Sequence, residues 1–223
     1  MPKISVVIAS KVGAPFIDQC LDSIRDEVAA LGAEALVVTP RSEEYARRLE
    51  QKYPWARVIR DPTVTGVPAL RRRGVDEATG EYVAVIEEHC SAAPDWLHQT
   101  LGAFSRGNYA AVGGAITDYG YDRLRDWVVY FIEYNASLPP VAAGETDNLN
   151  DANIAYPRRL LLEHRHLLAM TYEVTLLDHP APVAISAAPP RITETSREPW
   201  GSDSDATRAI GRAANRCLDF MSS

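Results

Sequence analysis

Two short apolar runs constrain this chain more than any other feature. Ile4-Ser5-Val6-Val7-Ile8-Ala9 and Tyr82-Val83-Ala84-Val85-Ile86 are compact, rich in β-branched residues and followed by turn or polar chemistry. Runs of this length predict strands buried on both faces, as in parallel sheets covered by helices. Helical spacing surrounds them. Ile17, Cys20, Leu21, Ile24, Val28 and Leu31 follow the first run, Val67, Leu70, Gly74 and Ala78 precede the second, and Leu97, Leu101 and Phe104 follow Pro94. Ala35-Leu36-Val37-Val38, Arg57-Val58-Ile59 and Ala110 to Gly114 are further short strands, with a polar segment around Ser42-Glu43-Glu44 between the first two. Alternation of this kind predicts an α/β fold with a mostly parallel central sheet flanked by helices.

The chain has 223 residues, 46% hydrophobic and 24% charged, which suits one soluble domain with a proper core. No repeat or long linker divides it. Its 23 basic and 30 acidic residues give a net charge of -7, opposite to what a nucleic-acid backbone requires of a partner. Cys20, Cys90 and Cys217 form no Cys-x-x-Cys pair, which speaks against a zinc ribbon or disulfide framework and for a reducing compartment. The opening apolar run is too short for a membrane span or signal core. The expectation is a cytoplasmic protein, with contact at the inner face of a membrane left open.

Beyond residue 115 the pattern changes. Leu124, Trp127, Val128 and Phe131 mark an amphipathic helix rich in aromatics, then come Asn153-Ile154-Ala155-Tyr156 and a helix from about Arg158. Ser202 and Asp205 resemble a capping box before a last helix carrying Ala206, Ile210, Ala213 and Cys217.

Ligands of open parallel sheets bind beyond the carboxyl ends of the strands. The residues there are Ser10-Lys11, Thr39-Pro40-Arg41, Asp61 and Glu87-Glu88-His89. The last set offers two carboxylates and an imidazole, suited to a divalent ion. A merely solvated turn is the competing reading of the same residues.

The stretch Gly66-Val67-Pro68-Ala69-Leu70-Arg71-Arg72-Arg73-Gly74, continued by Ala78-Thr79-Gly80-Glu81-Tyr82 and Glu87-Glu88-His89-Cys90, resembles the centre of family 2 glycosyltransferases. There a Gly-x-x-x-Ala-Arg-Asn-x-Gly helix and an Ala-x-Gly-Glu-Tyr strand lead to Asp-x-Asp. Pro94-Asp95-Trp96-Leu97, Val112-Gly113-Gly114, Phe131-Ile132-Glu133-Tyr134 and Asn153-Ile154-Ala155-Tyr156 extend the similarity over roughly the first 180 residues, including a branch with Glu-Asp-His-Cys for the aspartates. The resemblance implies a single GT-A domain over 1–223, with a nucleotide-binding half to about 115 and an acceptor-side half after it. It also implies inverting transfer of a sugar from a nucleotide diphosphate donor to a glycan, lipid or small-molecule acceptor.

Under that resemblance Ala9, Ser10, Thr39, Arg71, Glu87, Glu88 and Asn153 are the donor-side residues, with the Arg71 fork clamping and neutralising the diphosphate, and Glu88 with His89 would hold manganese or magnesium. Glu173 matches the acidic residue that acts as general base, with Asp151 or Glu133 next in line. Three departures matter. Thr39 stands where the family has an aspartate for the base, Arg72 replaces an asparagine, and the aspartate pair is altered. A non-catalytic nucleotide-sugar or protein-binding relative is therefore one alternative, and a sugar-phosphate nucleotidyltransferase is another. Trp96 is read as packing, Trp127, Tyr130, Phe131 and Tyr134 as core with room for an acceptor groove, and His164, His166 and His179 as bystanders.

Overall fold

The computed structural model describes residues 2–64, 66–117, 124–146, 149–164, 183–185 and 192–194. The first half of the chain begins β1 (Ile4–Ala9), α1 (Phe16–Leu31), β2 (Glu34–Thr39), α2 (Glu43–Lys52), β3 (Arg57–Arg60), α3 (Val67–Glu77) and β4 (Tyr82–Ile86). It continues with β5 (Cys90–Ala92), α4 (Trp96–Arg106) and β6 (Ala111–Gly113). Beyond these lie β7 (Ile116–Thr117), α5 (Leu124–Tyr134), a 3-10 turn (Asn135–Ser137), β8 (Gly144–Thr146), β9 (Asn153–Pro157), α6 (Arg158–Glu163), β10 (Val183–Ile185) and β11 (Ile192–Glu194). The expected capping box and last helix after Ser202 lie outside the described residues.

The large sheet has the order β3-β2-β1-β4-β9-β6-β10-β8, and β5, β11 and β7 form a small second sheet. β1 pairs in parallel with both β2 and β4, and β2 with β3, as the alternating pattern predicts. The Asn153 segment is a strand set antiparallel between β4 and β6, with Ile86 opposite Asn153. This places a residue of the second half directly beside the end of β4. The Ser42-Glu43-Glu44 segment is a helix start: the Ser42 hydroxyl accepts the Tyr45 N–H at 3.2 Å, and Tyr45, Ala46 and Leu49 face inward.

The central strands feed two apolar layers by simple alternation. Ile4, Val6, Ile8, Ala84 and Ile86 join the layer under α1 and α4, where Ile17, Cys20, Leu21, Trp96 and Leu97 are buried. Val7, Ala9, Val83 and Val85 join the opposite layer with Leu70 and Val75 of α3 and Leu161 of α6. Glu27 of α1 reaches the start of α4, accepting the N–H groups of Leu97 at 3.0 Å and His98 at 3.1 Å, so two orphan helix donors are satisfied from a neighbouring helix.

Gly80 marks the tightest approach to neighbouring backbone atoms among the described glycines. Its N–H donates to the Ser5 hydroxyl at 2.9 Å, and that hydroxyl donates to Glu34 at 2.7 Å. A Cβ at Gly80 would stand 2.7 Å from the Ser5 nitrogen and 2.8 Å from the Ile4 carbonyl carbon, both backbone atoms that cannot rotate away. Gly80→Ala is therefore expected to destabilise the protein by about 1–3 kcal/mol, measured by urea unfolding, because β4 must shift away from β1.

Candidate active site

The carboxyl ends of β1, β2 and β4 converge, and the three polar residues after β4 divide there. Glu88 turns toward the loop after β1, with its side chain almost fully buried. Its carboxylate accepts the backbone N–H groups of Lys11, Val12 and Gly13 at 2.7, 2.6 and 2.8 Å, and the Ser10 hydroxyl at 2.9 Å. Glu87 turns the other way, toward α3. One oxygen accepts from the Arg71 guanidinium at 3.1 Å and the other lies 2.9 Å from His89 Nε2.

Arg71 is buried at 7% side-chain exposure and also pairs with Asp151, just ahead of β9. Burial opposes its charge, but the Asp151 and then the Glu87 carboxylate hold its pKa above the usual value. For Glu87 burial alone would raise the carboxyl, yet His89 and then Arg71 outweigh it and bring it from 4.5 to about 2. Glu87, His89 and Cys90 also present ligand atoms within 4.8 Å of one another. Oxygen and nitrogen ligands of a divalent ion sit about 2.1 Å from it, so two adjacent ones lie about 3 Å apart, and the Glu87–His89 pair fits.

The donor-side residues that the resemblance implies differ in burial and in pairing. Ser10 and Thr39 are fully buried and form the floor of the site, while Lys11, Val12 and Arg41 are the exposed groups above them. Ala9, the last residue of β1, is also buried. The carboxylate that accompanies His89 is Glu87, because Glu88 spends its oxygens on the loop. Arg71 has carboxylates at both terminal nitrogens instead of an open fork. Asn153 is buried with both amide ends engaged: its Oδ1 accepts the Trp96 indole N–H at 2.9 Å and its Nδ2 donates to the Ala115 carbonyl at 3.1 Å. It ties α4 to β9, and Trp96 packs as expected.

Glu173 lies outside the described residues. Of its stand-ins, Asp151 is paired with Arg71 and Glu133 is exposed on α5. The aromatic helix divides as well: Tyr130 and Tyr134 are buried, while Phe131 is half exposed and stacks on Trp127 with ring centroids 5.6 Å apart. No sequence motif marks Asp151 as the partner of Arg71, Cys90 as a ligand neighbour, or Arg41 with Tyr45. Only the strand-end position of Arg41 and the adjacency of Cys90 to His89 carried any signal.

The depressed Glu87 carboxyl fixes a pH dependence in the metal-free protein. Unfolding returns it to its ordinary range, so the unfolded chain binds more protons, and stability present above 4.5 is lost as pH falls toward 2. Arg71→Met should cost about 3–5 kcal/mol at neutral pH, because it removes the buried cation that Glu87 and Asp151 share. That cost should shrink in acid as the freed carboxyls take up protons. Chemical denaturation from pH 7 down to about 3, in chelator, measures both effects.

Residues 5–164 match the family model described as Glycosyl transferase family 2. Glycosyltransferase AglE of Haloferax volcanii is 26% identical over 121 residues, which are 52% of this chain and 40% of that protein. Dolichol-phosphate mannosyltransferase of Pyrococcus furiosus is 26% identical over 132 residues, 57% of this chain and 37% of that protein. The chain thus aligns with about two-fifths of the length of these curated relatives. Among solved structures, S. aureus TarS 1-349 in complex with UDP-GlcNAc superposes with a TM-score of 0.66 at 16% identity, covering 88% of this chain and 59% of that one. GalNAc-T7 with UDP, GalNAc and Mn2+ gives 0.65 at 13% identity, covering 88% and 44%. At these identities the structural likeness speaks for the fold, and it is the fold that the family resemblance implies. With the family model spanning well over half of its length, the chain belongs to glycosyl transferase family 2 and has the GT-A architecture.

Proposed function

We propose that this protein transfers a sugar, with inversion, from a nucleoside diphosphate donor to an acceptor hydroxyl in the synthesis of a cell-surface glycan or glycolipid. The observation that carries the reading is the Glu87–His89 pair, held 2.9 Å apart at the carboxyl end of β4 in a family 2 chain. The complexes of TarS with UDP-GlcNAc and of GalNAc-T7 with UDP, GalNAc and Mn2+ support a nucleotide-sugar donor and a divalent ion.

Glu87 and His89 would hold the ion, with Cys90 adjacent. Such an ion supplies positive charge to the diphosphate leaving group. Arg71 keeps Glu87 ionised and oriented. Arg71 carries one positive charge against the two negative charges of Glu87 and Asp151, so the cluster favours a cation while His89 is neutral. An imidazole ligand suits manganese better than magnesium. On the acceptor side Glu173 would take the proton from the hydroxyl as its oxygen bonds to the anomeric carbon and the bond to the diphosphate breaks. No helix among the described residues is long and apolar enough to cross a membrane.

Calorimetry with UDP, GDP, dTDP and CDP is expected to show binding of at least one nucleotide, tighter with manganese than in chelator. His89→Ala should raise the manganese Kd by at least about 10-fold. No binding of any of the four, with or without metal, would remove the transferase reading. Glu173→Gln should lower sugar transfer or slow donor hydrolysis by about 100- to 10,000-fold and leave nucleotide affinity unchanged. Near-normal turnover by the folded variant would move the base to another residue.

A further inference from the structure

The loop between β1 and α1 is gripped from both sides of its backbone. Three consecutive N–H groups, from Lys11, Val12 and Gly13, point at the Glu88 carboxylate, and the Ser10 hydroxyl adds a fourth donor. An ionised carboxylate has about four acceptor sites, so Glu88 is saturated. Successive N–H groups converging on one point form the kind of concavity that binds anions, and here the protein fills it with its own side chain. The carbonyl side is held by Arg41, whose guanidinium donates to the Lys11 oxygen at 3.3 Å and to the Val12 oxygen.

Tyr45 connects the two grips. Its hydroxyl lies 3.0 Å from that of Ser10, and Arg41 lies over its ring at 4.5 Å from the centroid. Gly13 closes the loop at φ +96°, where a Cβ would come within 3.0 Å of the Tyr45 hydroxyl oxygen. A side chain there would be strained in backbone and crowded at once. With the polar backbone groups of the loop spent inward, the Val12 side chain is left 56% exposed beside the carboxyl ends of β1 and β2.

We propose that Glu88 is a positioning residue and not a metal ligand: with Arg41, it holds Lys11–Gly13 in the one backbone shape that receives the nucleoside of the donor. The proposal rests on the transferase reading, since it assigns the exposed face of this loop to the nucleotide. Without the grip the loop would have to be ordered by the ligand itself, and that ordering cost would appear as weaker nucleotide affinity. The metal pair Glu87–His89 lies on the other side of β4 and would be untouched.

Glu88→Gln tests this, because an amide keeps the shape but turns an N–H₂ toward the N–H donors of the loop. With the full chain and manganese, the Kd of whichever of UDP, GDP, dTDP or CDP binds tightest should rise by about 10-fold or more, the scale of one lost charge-assisted hydrogen bond. Glu88→Asp, which retains the charge on a shorter stem, should recover part of that loss. The manganese Kd without nucleotide, read by electron paramagnetic resonance, should not change.

Amide exchange by NMR provides an arm that needs no ligand. The N–H groups of Lys11, Val12 and Gly13 should exchange about 10-fold faster or more in Glu88→Gln, while those of Val6 to Ile8 keep their protection. Arg41→Gln alters an exposed side chain, and it should weaken the same nucleotide even if Glu88→Gln fails to fold. Unchanged nucleotide affinity in a folded Glu88→Gln protein, unchanged exchange, or a manganese Kd that rises with the substitution would each overturn the proposal. Failure of the unaltered protein to bind any of the four nucleotides would overturn the transferase reading and the donor part of this one, and the exchange arm would still decide whether Glu88 grips the loop.

Discussion

A strand buried on both faces must send successive side chains to opposite sides, and in this protein β4 carries that alternation past its own end. Val83 and Val85 face the layer with α3, and Ala84 and Ile86 face the layer with α1. Glu87 then follows the first direction to Arg71, and Glu88 follows the second to the loop after β1. Two neighbouring carboxylates thus enter different environments. Each is largely buried, and a buried charge is tolerated only with compensation. Arg71 and His89 compensate Glu87; four hydrogen-bond donors compensate Glu88.

These two solutions suit different tasks. An ion-pair cluster leaves charge for a further cation, since Arg71 is shared between Glu87 and Asp151. Asp151 comes from the connection into β9, so the antiparallel strand lodged beside β4 brings the second half of the chain into the site. Hydrogen bonding to Glu88 consumes every acceptor position, so no lone pair is left for a cation, and it fixes backbone. Chemistry and shape are thereby separated across one strand, with the candidate metal pair on one side and the shaped loop on the other.

Burial and hydrogen bonding distinguish the donor-side residues that the resemblance implies. Ser10, Thr39 and Asn153 are buried, and the Asn153 amide holds the Trp96 indole and the Ala115 carbonyl. Ser10 and Thr39 lie next to the exposed Lys11, Val12 and Arg41. A motif match places a residue near a ligand, while burial decides whether its polar atoms can reach one.

The sequence by itself determined the parts of this protein that depend on local period. The β-branched runs of β1 and β4, the helical spacing of α1 and α3, and the strand-end position of Glu87-Glu88-His89 all follow from neighbours within a few residues. The family resemblance followed from the order of such local motifs. Only the tertiary structure decided which carboxylate meets His89, why Arg71 lacks an open fork, and where the amide of Asn153 points. The donors that fill Glu88 lie 75 to 78 residues away in the chain, and the partners of Asn153 lie 57 and 38 away. Hydrogen-bond saturation of a buried group is set by whatever folding brings to it across such distances, and no local pattern in the chain encodes that.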